Sequence, residues 1–449
     1  MHKAILYFIL LNTYLFSQTI NFEEALDLTL ENNYKLKSQE IDIKKANLDL
    51  KEVKSSSYGK LDLSHEMSRT NSASYVFNYK LSSREATFRD FGFSEKVDMS
   101  NYDIEPSDLN YPDSRNNFNT KLTYEIPLFT GFKLQTKEDM MKIAHKAQQI
   151  RLNLDKKSLE YEVLKAYNGA VVAKEFIKAA KKANESANFF LTAANEFYKE
   201  GLVTKIDKKQ AKVHQLNIKS DLSYANNKFN IALAYLRFLT SNENIDDVKG
   251  LKLINKKSYS YDRLYEDALL NRDDLKILKE QKNSMKKNIK LANSSYYPYV
   301  YSYFEYGFND DKITFSDDQD YYLGMLGIKY TLFDNTRDIK KQKSKILFNK
   351  TAIGLNHLKD AIKLDVQKAL LNLKAKEDEL MAKKEAQSLA YEVLEQSKLM
   401  YKNQLIPMTE LLKQEAIFRQ NEASYIMAQY EHSLALAKIN VVSGKSLKQ

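Results

Sequence analysis

Six histidines, at positions 2, 65, 145, 214, 357 and 432, and the absence of cysteine bound the metal and nucleophilic chemistry open to this chain. No two of the histidines stand three or four residues apart, the interval that would aim both rings from one helix face at a metal, and no thiolate can complete a zinc set. A nucleophile elbow, a phosphate-cradling glycine loop and a dinucleotide-binding glycine pattern are missing from the sequence. Each histidine is therefore expected as a surface or helix-seam residue. One carboxylate-rich stretch remains, holding Asp310, Asp311, Asp317, Asp318 and Asp320. Oxygen donors of this kind suit Ca²⁺, but the stretch lacks the central glycine and ligand spacing of a dedicated loop, so a solvated loop is expected. These residues predict a protein that is not an enzyme and needs no cofactor or metal.

With catalysis set aside, charge and length come next. The chain has 449 residues, 43% of them hydrophobic, enough for a packed core. Lys and Arg number 69 against 59 Asp and Glu, a formal charge of +10. The lysines alternate with acids, as in "LKAKEDELMAKKEAQ", which marks solvated helix faces rather than a nucleic-acid patch. Residues 1–17 differ from the rest: Lys3 flanks an apolar run from Ala4 to Phe16, and Ser17 is the small residue before Gln18. This pattern predicts a signal peptide and export. No later segment reaches the roughly 20 apolar residues of a membrane-spanning helix. Entry into a membrane would have to use strands of a closed barrel.

An internal repeat organises the sequence. "NYKLKSQEIDIKKANLDLKEVKSSSYG" (33–59) is echoed by "DDLKILKEQKNSMKKNIKLANSSYYP" (273–298), "YEIPLFTGFK" (124–133) by "KYTLFDNTR" (329–337), and "FYKEGLVTKID" (197–207) by "MYKNQLIPMTE" (400–410). The repeats are expected over 18–240 and 262–449, joined by a polar, turn-forming linker over 241–261. Each reads as short helix, strand, loop, strand, long helix, tip, short helix. Leu152, Leu159, Ala166, Ala173, Ala180, Ala187 and Ala194 recur every seven residues, with Val163, Ala170, Ile177 and Leu191 on the second seam position. After the tip, Ala211, Ile218, Ala225, Ala232 and Leu239 keep the interval. The second half has Val366, Leu373, Leu380, Leu394 and Tyr401. The long run from about 133 to 199 would measure roughly 100 Å as a helix, and the short helices (about 22–56 and 204–239; 262–293 and 408–442) roughly half that. Antiparallel coiled-coil hairpins forming a tube wall are the expected result.

Between the helices the period changes to two. Phe118, Thr120, Leu122, Tyr124 and Ile126 alternate with Asn119, Lys121, Thr123 and Glu125, and Leu61, Leu63, His65 and Met67 with Asp62, Ser64 and Glu66. An apolar face against a charged one over about 10 residues is the signature of a membrane barrel strand. "YPYVYSYFEYGF" and "YYLGMLGIKYTLF" supply the second pair, dense in interface-seeking tyrosine. Four strands cannot close a membrane barrel, whose smallest bacterial form has about eight, so several chains must share one. Long loops, about 70–115 and 309–320, are expected on the outer side.

At the tips, Gly201 suits a left-handed turn, Thr204 a helix cap, and Leu202 a cover for the seam end. The apolar pairs Leu202-Val203 and Leu405-Ile406 invite a partner. With these residues in view, the duplicated plan, the "PLFTG" and "TLFDN" junctions and the tip motif "YKEGLVTKIDKKQAKV", the chain resembles TolC-family outer-membrane efflux proteins over nearly its whole mature length. The resemblance implies a mainly α fold, a homotrimer with a 12-stranded barrel (four strands per chain) in outer-membrane lipid, and a periplasmic α-barrel of paired helices. It implies substrate received from an inner-membrane pump through a periplasmic adaptor. Adaptor docking then falls on Gly201, Leu202, Val203, Thr204, Gln404, Leu405, Ile406 and Pro407, and the periplasmic entrance on Asp207, Glu410 and Lys413. Two departures stand out. Gln404 replaces the family's usual glycine, so a looser turn or one relying on Pro407 is expected. Lys413 stands where a second acid can occur, which argues against a purely acidic entrance. The main expectation is a passive export duct; the alternatives are the exit duct of a type I protein-secretion system and a soluble periplasmic coiled-coil scaffold.

Overall fold

Two strand–helix successions of the same order follow each other along the chain. The first is β1 (Gln18–Ile20), α1 (Phe22–Asn32), α2 (Tyr34–Ser55), β2 (Lys60–Thr70), the short α3 (Ala73–Ser82) and α4 (Ser107–Asn110), β3 (Arg115–Phe129), α5 (Lys133–Lys199) and α6 (Lys205–Thr240). The second is β4 (Ile245–Val248), α7 (Tyr261–Asn271), α8 (Asp273–Asn293), β5 (Tyr299–Asp310), β6 (Asp320–Lys329), α9 (Thr336–Lys402) and α10 (Met408–Val442). The computed structural model describes residues 18–93, 103, 105–255 and 260–448, so the expected signal peptide at 1–17 lies outside the described residues. Among them, no helix is long and apolar enough to cross a membrane.

The chain divides into two compact units. One comprises the described residues of Met1–Ile43, Ala147–Lys279 and Ile353–Gln449; the other, Lys44–Lys146 and Glu280–Ala352.

In the first unit the seven-residue seams pack. Leu159, Val163, Ala166, Ala170, Ala187 and Ala194 of α5 are buried, as are Ala211, Ile218 and Ala225 of α6 and Val366, Leu373, Leu394 and Tyr401 across α9. Removing this apolar surface from water is the main term holding long polar helices together. Two expectations need correcting. The short helix expected over about 22–56 is broken after Asn32, where Asn33 is extended and its Oδ1 accepts from the Lys35 amide at 3.0 Å. The one expected over 262–293 breaks at Arg272, also extended. Arg272 is held there by its guanidinium on Asp274 (2.7 Å) and Asp365 (3.0 Å).

The linker is not merely turns. It contains β4, which pairs in parallel with β1, and Ile20, Ile245 and Val248 are fully buried. The buried Tyr167 hydroxyl donates to the Gly250 carbonyl at 3.2 Å, and Asn168 to that of Lys252 at 2.9 Å, tying the same segment to α5. The C-terminal segment docks against the second helix break. Gly444 has φ +74°, and a Cβ there would lie 2.6 Å from the Arg272 nitrogen. Lys157 bridges Asp273 (2.6 Å) and the Gly444 carbonyl (2.9 Å).

In the second unit, β2, β3, β5 and β6 form one antiparallel sheet in that order, leaving β2 and β6 as edges. The segment between β2 and β3, expected as loop, carries α3 and α4. The expected fourth strand ends early, at Lys329, and Leu332 and Phe333 lie beyond it, exposed.

Candidate functional site

The hairpin tips lie in the first unit. After α5, Gly201 takes φ +69°, the Leu202 amide donates to the Phe197 carbonyl (2.8 Å) and the Gly201 amide to that of Tyr198 (3.1 Å). This pair of bonds is a Schellman cap, which satisfies carbonyls that the helix end leaves unpaired. After α9, Gln404 takes φ +60°, and the amides of Leu405 and Gln404 donate to Met400 and Tyr401, both at 2.9 Å. The second turn is therefore not looser than the first. Gln404 adopts the left-handed conformation despite its Cβ, a strain of roughly 1–2 kcal/mol borne by the cap. Pro407 does not form the turn; it is the extended residue at which α10 begins.

The two helix starts differ in a way that separates the entrance residues. Thr204 caps α6: its amide donates to Asp207 Oδ2 at 2.9 Å, and the Asp207 amide to Thr204 Oγ1 at 3.3 Å. Asp207 is thus engaged in a reciprocal capping box. Pro407 has no N–H to offer Glu410, so the box cannot form at the second tip. Glu410 instead accepts from Gln414 at 2.7 Å and lies 3.6 Å from Lys413. The Gln414 hydrogen bond, with Lys413 alongside, holds the Glu410 carboxyl below the ordinary carboxylate range.

Behind the turns, Phe190, Ala194 and Ala211 pack with Leu394, Tyr401, Met408 and Leu411, joining both hairpin ends in one apolar cluster. Ile406 leans on this cluster, whereas Leu202 and Leu405 are exposed, by 51% and 69%. Val203 is half-buried, and Gly201, Thr204, Gln404 and Pro407 are exposed.

Further along the helices is a polar tie that single-residue reading did not pick out. Glu415 of α10 is buried, accepts from Arg419 at 3.1 Å and lies 3.2 Å from His214 of α6. Arg419 also donates to Asp221 of α6 at 3.0 Å. The four-residue interval from Glu415 to Arg419 was the available signal. Beside it, half-buried Ala173 and Ala180 line a groove of about 920 Å³ shared with Ile218, Ala225 and Met427, so the alanine seam of α5 is not filled there.

The strand sheet lies in the second unit and separates two chemistries by face. The register aligns Leu63, Leu122, Tyr306 and Tyr322 in one cross-strand row and Leu61, Tyr124, Phe304 and Gly324 in the next. Leu63 is 74% exposed and Tyr322 79%, so the edge-strand residues of this apolar face are left largely uncovered among the described residues. On the opposite face Glu305 accepts from Tyr321 at 2.8 Å and from Tyr303, with Lys121 at 3.7 Å. Leu323 and Met325 of β6 also fall on this second face by alternation, an exception to the polar pattern. The two strand-to-helix junctions are built differently. Gly131 has φ +61° and sits where a Cβ would be 2.5 Å from the Ser294 carbonyl. Asp334 instead receives the Thr336 amide at 2.8 Å.

An unclosed sheet with one apolar and one largely polar face, in a chain whose helices form capped hairpins, is the fold found in TolC-like outer-membrane channel structures. Residues 25–242 match the family model described as outer membrane efflux protein. The fold matches a membrane protein from Pseudomonas aeruginosa with TM-score 0.78 at 13% identity, covering 95% of this chain and 91% of that one. It matches the CmeC outer membrane channel of Campylobacter jejuni with TM-score 0.76 at 17% identity, over 94% of this chain and 85% of that one. The open state of the Neisseria gonorrhoeae MtrE outer membrane channel matches with TM-score 0.75 at 15% identity, over 95% and 89%. No curated protein matches the chain by sequence. Over residues 25–242 the chain is thus similar to outer membrane efflux proteins, and nearly its whole length has the fold of TolC-like outer-membrane channels.

Proposed function

We propose that the protein is a passive export duct of the outer membrane, a homotrimer that passes substrates from a periplasmic adaptor and inner-membrane pump to the exterior. The observation that carries this reading is the sheet: two unpaired edges, β2 and β6, bound four strands with an apolar face exposed. Unpaired edges and a large apolar face are both unfavourable in water and both resolved by other copies and by lipid. Three chains would give 12 strands. The repeats are taken to run over 18–240 and 262–449, with 241–261 between them. In planar bilayers the purified protein should give discrete, voltage-tolerant conductance steps; a reconstituted protein that leaves the bilayer impermeable contradicts the reading.

The tips are assigned to adaptor docking and gating, with Glu410 and Lys413 contributing to the entrance; Asp207, engaged by Thr204, contributes less. The exposed Leu202 and Leu405 support docking. Leu202→Asp with Leu405→Asp should abolish co-purification of the host's adaptor while leaving the trimer intact. Adaptor capture at the level of the unaltered protein would remove docking from the tips. Ile406 is a poorer probe, because its packing on the tip cluster confounds docking with stability.

A further inference from the structure

The loop carboxylates meet a partner that the sequence does not place beside them. Glu85, from the segment after α3, comes together with Asp310 and Asp311 at the end of β5, so that one carboxylate oxygen of each lies within 4.8 Å of the others. Asp317, Asp318 and Asp320 are not part of this group. Like charges this close repel strongly unless something positive lies among them.

The described groups around the cluster do not supply that charge in full. Asp310 is 2% exposed. One of its carboxylate oxygens accepts the Asp311 amide at 2.6 Å, while Oδ2 is buried with no hydrogen-bond partner among the described residues. Glu85 accepts from Ser83 Oγ at 2.9 Å and pairs with Arg115. No ion pair to Asp310 or Asp311 is formed among the described residues. Among the described residues, three carboxylates against one guanidinium leave two carboxylates without a cation and a buried oxygen without a donor. An acceptor atom buried without a partner costs about 1–3 kcal/mol, more when charged.

From this geometry we infer that Glu85, Asp310 and Asp311 hold a divalent cation, Ca²⁺ by its donor chemistry. All three donors are carboxylates, with no nitrogen or sulfur ligand, which favours a hard ion. They come from two separate chain segments, an irregular set that Ca²⁺ accepts more readily than Mg²⁺ with its strict octahedron. Backbone carbonyls and water complete the six to eight oxygens that Ca²⁺ takes. The ion clamps the segment after α3 onto the β5–β6 turn. Arg84 next door already spans the same gap, donating to the Asp320 carbonyl at 2.6 Å. The cation is thus a second fastener on this connection. Binding does not depend on the duct reading, since it is scored per chain whether or not current flows.

The test uses full-length, delipidated protein in detergent, stripped of divalent ions by chelation and titrated with CaCl₂ by calorimetry. One Ca²⁺ per chain is expected in the unaltered protein and in Asp317→Asn, and loss of at least tenfold in affinity in Asp310→Asn and in Glu85→Gln. Ca²⁺ should also slow proteolysis of the segment between β2 and β3 in the unaltered protein alone. Exposed Glu85 carries the test if the buried Asp310→Asn fails to assemble. Absence of a stoichiometric site, equal binding in Glu85→Gln, or loss of binding in Asp317→Asn would each overturn the assignment.

Discussion

The left-handed Gln404 offers a perturbation whose size follows from backbone geometry. Gln404→Gly removes a Cβ from a residue at φ +60°, relieving roughly 1–2 kcal/mol of strain. Part of this is offset by the greater freedom glycine adds to the open state, about 0.4–1 kcal/mol. The net gain is on the order of 1 kcal/mol, or about fivefold in a local opening equilibrium. Gly201→Ala is the mirror experiment. No atom lies within 4 Å of the Cβ position at Gly201, so the cost there is conformational, of similar size and opposite sign. Global melting of so long a chain is a poor gauge of about 1 kcal/mol, because unfolding of large proteins is often irreversible. Hydrogen exchange at the tip amides is direct: Leu405 donates to Met400, and Leu202 to Phe197. Gln404→Gly should slow exchange at Leu405 about fivefold, and Gly201→Ala should speed it at Leu202 by about as much, each leaving the other tip unchanged. Unchanged or faster exchange at Leu405 in Gln404→Gly would refute a strained cap.

Two further substitutions probe the first unit. Lys157→Met removes a donor from the buried Asp273 and from the Gly444 carbonyl, leaving Lys276 at 3.1 Å as the remaining cation; a loss of about 2 kcal/mol is expected, read as earlier proteolytic release of the C-terminal segment. Burial raises the Glu422 carboxyl, with Glu415 adding to the rise and Lys182 opposing it. A raised acid binds its proton more tightly in the folded chain, so its contribution to stability is lost as pH climbs through the ordinary carboxylate range to the raised value. Glu422→Gln should therefore slow hydrogen exchange at the α10 amides around position 422 relative to the unaltered protein at pH 7, with the advantage gone below about pH 4; an equal exchange ratio at both pH values would count against this origin.

Much of this fold was written locally. The seven-residue interval from Leu159 to Ala194 and the two-residue interval from Phe118 to Ile126 each reflect a single buried or lipid-compatible face, so spacing alone revealed helix seams and strands. The helix breaks at Asn33 and Arg272 were not legible, because neither residue forbids a helix. At Arg272, tertiary contacts with Asp365 and Gly444 accompany the break. β4 was hidden by brevity and by Asp246 and Asp247, which do not read as strand until Ile20 pairs alongside. At the tips, residue types indicated the Thr204 cap and the Gly201 turn, but glycine preference misled at Gln404, where the cap tolerates a strained residue. Glu85 could not be grouped with Asp310 from sequence because the intervening 224 positions contain β3, β4, nearly all of β5 and the long helix α5.

Completion of the barrel by other copies is tested most directly at the sheet edges. The chain has no cysteine, so introduced pairs report alone. Ser64 of β2 and Tyr321, Leu323 and Met325 of β6 lie on one face, with β3 and β5 between the two edges. Three strand spacings separate those edges within one chain, about 14 Å, twice the roughly 7 Å limit for a disulfide. A bond between Ser64→Cys and a cysteine at one of the three β6 positions must therefore join two chains. Oxidation in the outer membrane should give covalent dimers and trimers and nothing larger. Monomers throughout the panel would contradict a barrel shared by three chains.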